Sequence, residues 1–85
     1  MTELQVSKTI GGEIRSKRKE IGFTQLMVAT KAGLSRNYIS DIESGRYTPS
    51  VDTLAKLARI LNIDLNFLTK MTEIQGDESH GFIHA

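Results

Sequence analysis

The chain has 85 residues, 39 % hydrophobic and 25 % charged, with no cysteine and a formal net charge of +1. That length allows one small domain, which buries about 60–65 % of the surface its unfolded form exposes and leaves little room for a deep catalytic cavity. Disulfides, zinc–thiolate centres and thiol nucleophiles are excluded. The apolar runs are far shorter than a membrane span. The start, Met1-Thr2-Glu3, lacks the basic-then-apolar layout of a signal peptide, so a cytosolic protein without a membrane partner is expected. The +1 combines unlike halves: residues 1–50 are +3 and residues 51–85 are −2. Such asymmetry hints at an anionic partner for the first half.

In chain order, residues 7–21 read as a first helix. Ile10, Ile14 and Ile21 fall on one side, and Arg15, Lys17, Lys19 and Glu20 on the other. Ser7 or Thr9 can cap its start, and Gly22 stops it. The Gly11-Gly12 pair weakens its first turn. Thr24 caps a second helix, Gln25–Ala32, which Gly33 breaks. Ser35 caps a third, Arg36–Ser44, which Gly45 ends. Pro49-Ser50 opens a fourth, Val51–Leu61, with Asp52 placed to suit the helix dipole. Its apolar positions are Val51, Leu54, Leu57, Ala58 and Leu61, and Asn62 ends it. Asp64 can cap a short fifth helix, Leu65–Met71.

From Thr72 the periodicity dissolves. Residues 73–85 read as a polar, glycine-broken tail, mobile unless a partner chain pins it. The expected organisation is a domain over residues 1–72 followed by that tail. Five helices with short connections and no paired strand predict a compact all-α domain.

The most informative segment runs from Gln25 to Ser44. Ala29 is small enough for a second helix to cross closely. Gly33 follows four residues later, where the turn needs a backbone with positive φ. Leu34 can fold beneath the turn. Ile39 and Ile42 are suited to the inner face of the third helix. A small residue, then Gly at +4 and Ile at +10, is the helix-turn-helix pattern. Thr24-Gln25 opens the unit, Ser35 caps its second helix, and Glu43-Ser44-Gly45-Arg46 closes it before Pro49.

With these residues in place, the chain resembles the phage-repressor and Cro-like helix-turn-helix domains of the XRE type. The matching stretches are Ile14-Arg-Ser-Lys-Arg-Lys-Glu-Ile-Gly-Phe-Thr-Gln, then Ala32-Gly-Leu-Ser-Arg-Asn-Tyr-Ile-Ser-Asp-Ile-Glu-Ser-Gly-Arg, then Pro49-Ser through Leu61-Asn-Ile-Asp-Leu-Asn-Phe-Leu. They span about residues 9 to 70. The resemblance implies a five-helix, lambda-repressor-like fold and a sequence-specific transcriptional regulator of double-stranded DNA. It further implies a repressor that binds a pseudo-palindrome as a homodimer.

If Ile39 and Ile42 face inward, the third helix presents Arg36, Asn37, Tyr38, Ser40 and Asp41 outward as candidate base contacts. The N-terminal part of a recognition helix enters the major groove. Arg36 can grip guanine O6 and N7, and Asn37 can pair with adenine N6 and N7. Tyr38 can touch a thymine methyl or a phosphate. Asp41 can accept from a cytosine amino group, or orient Arg36 or a nearby lysine. The plainer alternative for each is a solvated helix face.

Candidate phosphate contacts are Thr24, Gln25, Ser35, Ser44, Arg46, Tyr47 and Thr48. Gln25 opens a helix whose free N–H groups favour an anion. The resemblance implies that Gln25 and Thr24 lie at the DNA backbone, and that Ser44–Thr48 is a second phosphate clamp. It also implies a structural ion pair between Arg18 and Glu43. Leu26 and Met27 depart from the family pattern, which has polar residues at these outward positions. They stand as isolated apolar exposure or as a contact with the tail or another chain.

A dimer surface is expected from Leu65 and Leu68, joined by Phe82 and Ile83, with Phe67 and Ile63 packing inward. His80 and His84 are four apart but lie in the glycine-broken tail, so no metal is expected there. No triad or glycine-rich phosphate loop is present, so neither an enzyme nor a cofactor is expected. The alternative from another class is an antitoxin-like protein-interaction module whose main partner is a protein.

Overall fold

A computed structural model describes residues 2–64 and Asn66. Among the described residues there are four α-helices and no strand: α1 (Glu3–Ile21), α2 (Gln25–Ala32), α3 (Arg36–Glu43) and α4 (Val51–Leu61). Of the predicted fifth helix only Asn66 is described. Leu65, Leu68, Phe82 and Ile83, the two histidines and the whole predicted tail lie outside the described residues.

Helix α1 starts earlier than its apolar spacing implies. Thr2, not Ser7 or Thr9, is its N-cap. The Thr2 hydroxyl accepts from the Gln5 amide at 3.1 Å, and the Gln5 side chain accepts from the Thr2 amide at 2.8 Å. This reciprocal capping box satisfies two donors that a helix start otherwise leaves orphaned. Thr9 sits inside the helix and donates its hydroxyl to the Gln5 carbonyl at 2.8 Å. The glycine pair is therefore mid-helix rather than in a frayed first turn.

The other three starts follow one rule. Thr24, Ser35 and Ser50 accept from the amides of Met27, Tyr38 and Thr53 at 3.0, 3.0 and 3.2 Å. Helix α3 ends at Glu43, one residue short of the prediction, because Ser44 forms its C-cap. Between α2 and α3 the chain reverses at Gly33, whose φ of 72° favours a residue without Cβ. The Leu34 amide then donates to the Ala29 carbonyl at 2.8 Å and closes the turn.

The core lies where the four helices meet. Ile14, Val28, Ile39, Ile42, Leu57 and Leu61 are fully buried. Each contributes about 1.5–3 kcal/mol relative to exposure. Ala29 and Ala58 are buried too, and their small side chains let neighbouring helices approach. Lys56 reaches from α4 to the Ala32 carbonyl at 3.2 Å, satisfying an acceptor at the end of α2.

Two predicted core positions are surface residues. Val51 is 82 % exposed, because it occupies the first position of α4 beyond the Leu54-Leu57-Ala58-Leu61 stripe. Ile21 is 42 % exposed. It shares the azimuth of Ile14 but lies at the very end of α1, past the helices that cover Ile10 and Ile14. No described helix is long and apolar enough to cross a membrane.

Candidate nucleic-acid interface

The N-cap of α3 turns two side chains outward at its first residues. Arg36 and Asn37 are exposed, while Ile39 and Ile42 on the opposite side are fully buried. This amphipathicity follows from 3.6-residue periodicity. Ser40 and Asp41 are half-buried.

Behind Arg36 runs a continuous hydrogen-bonded chain. Its base is the ion pair of Arg18 and Glu43, both buried. Arg18 Nε donates to Glu43 Oε2 at 2.6 Å and Nη2 to Oε1 at 3.1 Å, a bidentate arrangement. Arg18 Nη1 donates to the Phe23 carbonyl at 2.9 Å. Helix α1, the α1–α2 turn and the end of α3 are thus held by one guanidinium.

Gln25 extends the chain. Its Nε2 donates to Glu43 Oε1 at 3.1 Å, and its Oε1 accepts from Arg36 Nη1 at 2.9 Å. The neighbours dictate the amide orientation: a carboxylate only accepts and a guanidinium only donates. Gln25 is half-buried and directed inward along this chain. Arg36 Nη2 also lies 3.5 Å from Asn37 Oδ1.

The α3–α4 loop carries a second group. The amides of Arg46 and Tyr47 both donate to the Asp41 carbonyl, at 3.0 and 3.3 Å. Arg46 Nε donates to Ser44 Oγ at 3.3 Å. Arg46 Nη1 lies 3.7 Å from Asp41 Oδ1. Asp41 therefore faces Arg46, not Arg36 or a lysine as the sequence reading allowed. Helix spacing explains this: the loop folds back over the last turn of α3, whereas Arg36 lies more than a turn away. This ion pair is largely exposed and worth at most about 1 kcal/mol.

Tyr38 differs from a freely outward residue. It is half-buried against the core, and its ring centroid lies 5.0 Å from that of Tyr47 at a 60° tilt. Burial, and then its hydroxyl contact with Tyr47, pushes the Tyr38 phenol above the ordinary tyrosine range. Tyr38 supports Tyr47, which is 48 % exposed.

Several hydroxyls in the predicted phosphate set already have partners. Thr24 and Ser35 cap helices, and Ser44 donates to the Asp41 carbonyl at 3.1 Å. Thr48 is hydrogen bonded to Ser7 of α1. Leu26 and Met27 are 60 % and 41 % exposed on α2. Among the described residues no three His, Cys, Asp or Glu side chains are grouped to hold a metal ion.

Besides the predicted Arg18–Glu43 pair, α1 meets the end of α3 at Gly11, whose packing role the sequence reading missed. Gly11 is buried at that crossing, and a Cβ there would overlap the Ile42 carbonyl oxygen and stand 2.8 Å from that of Glu43. A glycine inside an apolar helical stripe was the available signal.

Residues 14–68 match the model of the family described as Helix-turn-helix. The chain is 50 % identical over 78 residues to the ImmF control region 10 kDa protein of Bacillus phage phi105, covering 92 % of this chain and 86 % of that protein. It is 47 % identical over 58 residues to the immunity repressor protein of the same phage, covering 68 % of this chain but 40 % of the repressor. It is also 37 % identical over 60 residues to the HTH-type transcriptional regulator SinR of Bacillus subtilis, covering 69 % of this chain and 54 % of SinR.

Proposed function

The chain belongs to the helix-turn-helix family, as an XRE-type DNA-binding domain, and from that premise we propose that it is a transcriptional repressor acting in the cytoplasm on a pseudo-palindromic operator. The observation that carries this reading is the pairing of two exposed hydrogen-bonding side chains, Arg36 and Asn37, with a buried anchor behind them. A base-reading side chain held by a second layer loses less freedom on binding than a free one.

In this reading α3 enters the major groove. Arg36 grips a guanine and Asn37 reads the adjacent step, with Ser40 deeper along the helix. Arg46 and Tyr47 hold one phosphate segment. The first amides of α2, beside Thr24 and Gln25, hold another. Ser35, Ser44 and Thr48 set the backbone around these contacts. Asp41 and Tyr38 aim Arg46 and Tyr47 rather than touch bases.

One domain presents one half-site, so two copies bind half-sites about 34–36 Å apart or a multiple of that. Leu65, Leu68, Phe82 and Ile83 supply the contact between copies. Bound, the dimer occludes polymerase. The name of one phage relative, an immunity repressor, supports this direction of regulation. Exposed Leu26 and Met27 favour a second reading in which α2 also docks a protein.

Selection of bound duplexes from a random pool tests the proposal. The expected product is a two-fold symmetric consensus with guanine at one position of each half-site. Recovery of no consensus, with a protein ligand captured in place of DNA, favours the second reading.

A further inference from the structure

The family match begins at residue 14, yet α1 begins at Glu3. The additional turns make specific contacts with the loop that carries Arg46 and Tyr47. Ser7 is buried, and its hydroxyl is bonded to that of Thr48. Lys8 lies over Gly45, with its Cα only 3.2 Å from where a Cβ on that residue would be. Gly11 lets the helix backbone settle against the Ile42 and Glu43 carbonyls, at the point where α3 gives way to the loop. Ser7, Lys8 and Gly11 of α1 therefore adjoin Thr48, Gly45 and the end of α3, so the helix follows the loop from its root to Thr48.

The loop needs such support. Its backbone is tied to α3 by the Gly45, Arg46 and Tyr47 amides and by the Tyr38–Tyr47 ring contact, but the Arg46 side chain itself is held by exposed contacts with Ser44 and Asp41. These hold little against solvent. The Ser7–Thr48 contact is different, because Ser7 is buried and a buried polar group that loses its partner is costly.

We infer that the N-terminal turns of α1 are a brace that positions the phosphate-binding loop, with Ser7 as the positioning residue and Gly11 setting the distance. The inference rests on the reading of Arg46 as a phosphate contact. Its consequence is a division of labour in which α1 contributes to DNA affinity through loop order without touching DNA. Removing the brace lets Arg46 and Tyr47 sample positions off the phosphate, while α3 keeps its base-reading face.

The test is the salt dependence of binding to a 30-base-pair duplex of random sequence, for the full chain and for Ser7→Ala, Thr48→Val, Arg46→Ala and Ser7→Ala/Arg46→Ala. Each phosphate contact contributes about 0.9 to the slope of log K against log salt. Ser7→Ala and Thr48→Val are expected to lower the slope by about one, as Arg46→Ala does, and the double variant to lower it no further than Arg46→Ala. Thr48 is exposed, so its variant keeps the test valid if Ser7→Ala melts too low for binding assays. Unchanged slopes for both hydroxyl variants beside a reduced slope for Arg46→Ala overturn the brace. An unchanged slope for Arg46→Ala overturns instead the reading of Arg46 itself. A double variant whose slope loss is the full sum of the two singles shows that Ser7 acts apart from the loop, and also overturns the brace.

Discussion

Replacing Glu43 with alanine removes the acceptor at the centre of the interface scaffold. The carboxylate is buried and accepts three hydrogen bonds: two from Arg18, at 2.6 and 3.1 Å, and one from Gln25, at 3.1 Å. Arg18 is itself buried, and without Glu43 its only described partner is the Phe23 carbonyl. Breaking a buried pair from one side costs about 3–5 kcal/mol, mostly the penalty of the stranded charge. In a domain of this size each kcal/mol lowers the melting temperature by about 4–8 °C. The expected loss is therefore ~12 °C or more, followed by circular dichroism. Gln25 is half-buried, so water can replace the bond it loses, and base preference changes less than stability does. Replacing both partners with apolar residues, Arg18→Met/Glu43→Leu, leaves no stranded charge and should melt higher than Glu43→Ala alone. A fall of less than ~4 °C for Glu43→Ala would refute the argument, since the pair would then contribute no more than an exposed one.

The adjacent glycines of α1 should respond in opposite directions. Gly11→Ala drives a methyl into the Ile42 carbonyl and should destabilise by about 1–3 kcal/mol in a urea melt, whereas Gly12→Ala has open space and should stabilise by about 0.5–1 kcal/mol. Equal effects would disprove the close approach. Arg36→Ala should cost about 1–3 kcal/mol in binding and relax preference at one base pair. Arg46→Ala should instead weaken all duplexes alike and lower the salt slope by about one. Identical behaviour of the two arginine variants would contradict the separation of base and phosphate contacts. The phenol of Tyr38 is raised in the folded chain, chiefly by burial, so the unfolded chain ionises first. Its contribution is complete below the ordinary tyrosine range and is lost as pH rises through the folded value. Tyr38→Phe should then flatten the alkaline fall in urea midpoint, and an unaltered fall would count against that linkage.

Much of the helix-turn-helix was legible because its signals are local. Thr24, Gly33 and Ser35 act on backbone within a few residues, and α2 and α4 have the predicted limits. The start of α1 was also written locally, in Thr2 and Gln5, but the inward apolar stripe begins only at Val6, so periodicity alone places the helix start too late. The exposure of Val51 and Ile21 was not legible. Both belong to apolar patterns, and only the ends of neighbouring helices determine where cover stops.

The candidate interface divides in the same way. Its residue types and order along α3 came from periodicity and from the resemblance to XRE-type domains. Which side chains hold one another did not. Asp41 could orient Arg36 or a nearby lysine, and only the fold-back of the loop brought it to Arg46. Gln25 read as a phosphate contact, while the structure threads it between Glu43 and Arg36.

The asymmetry in charge between the two halves of the chain acquires a sharper meaning from these contacts. The sequence by itself determined that the cations concentrate in the first half, because composition is additive and needs no geometry. Tertiary structure decided their work. Arg18 is buried and holds the frame, Arg36 is exposed and held by Gln25, and Arg46 is exposed on a loop beside α1. Burial and partner choice depend on contacts between residues far apart in the chain, such as Arg18 with Glu43 and Ser7 with Thr48. Local patterns constrain only neighbours, so such pairings become definite when the helices pack.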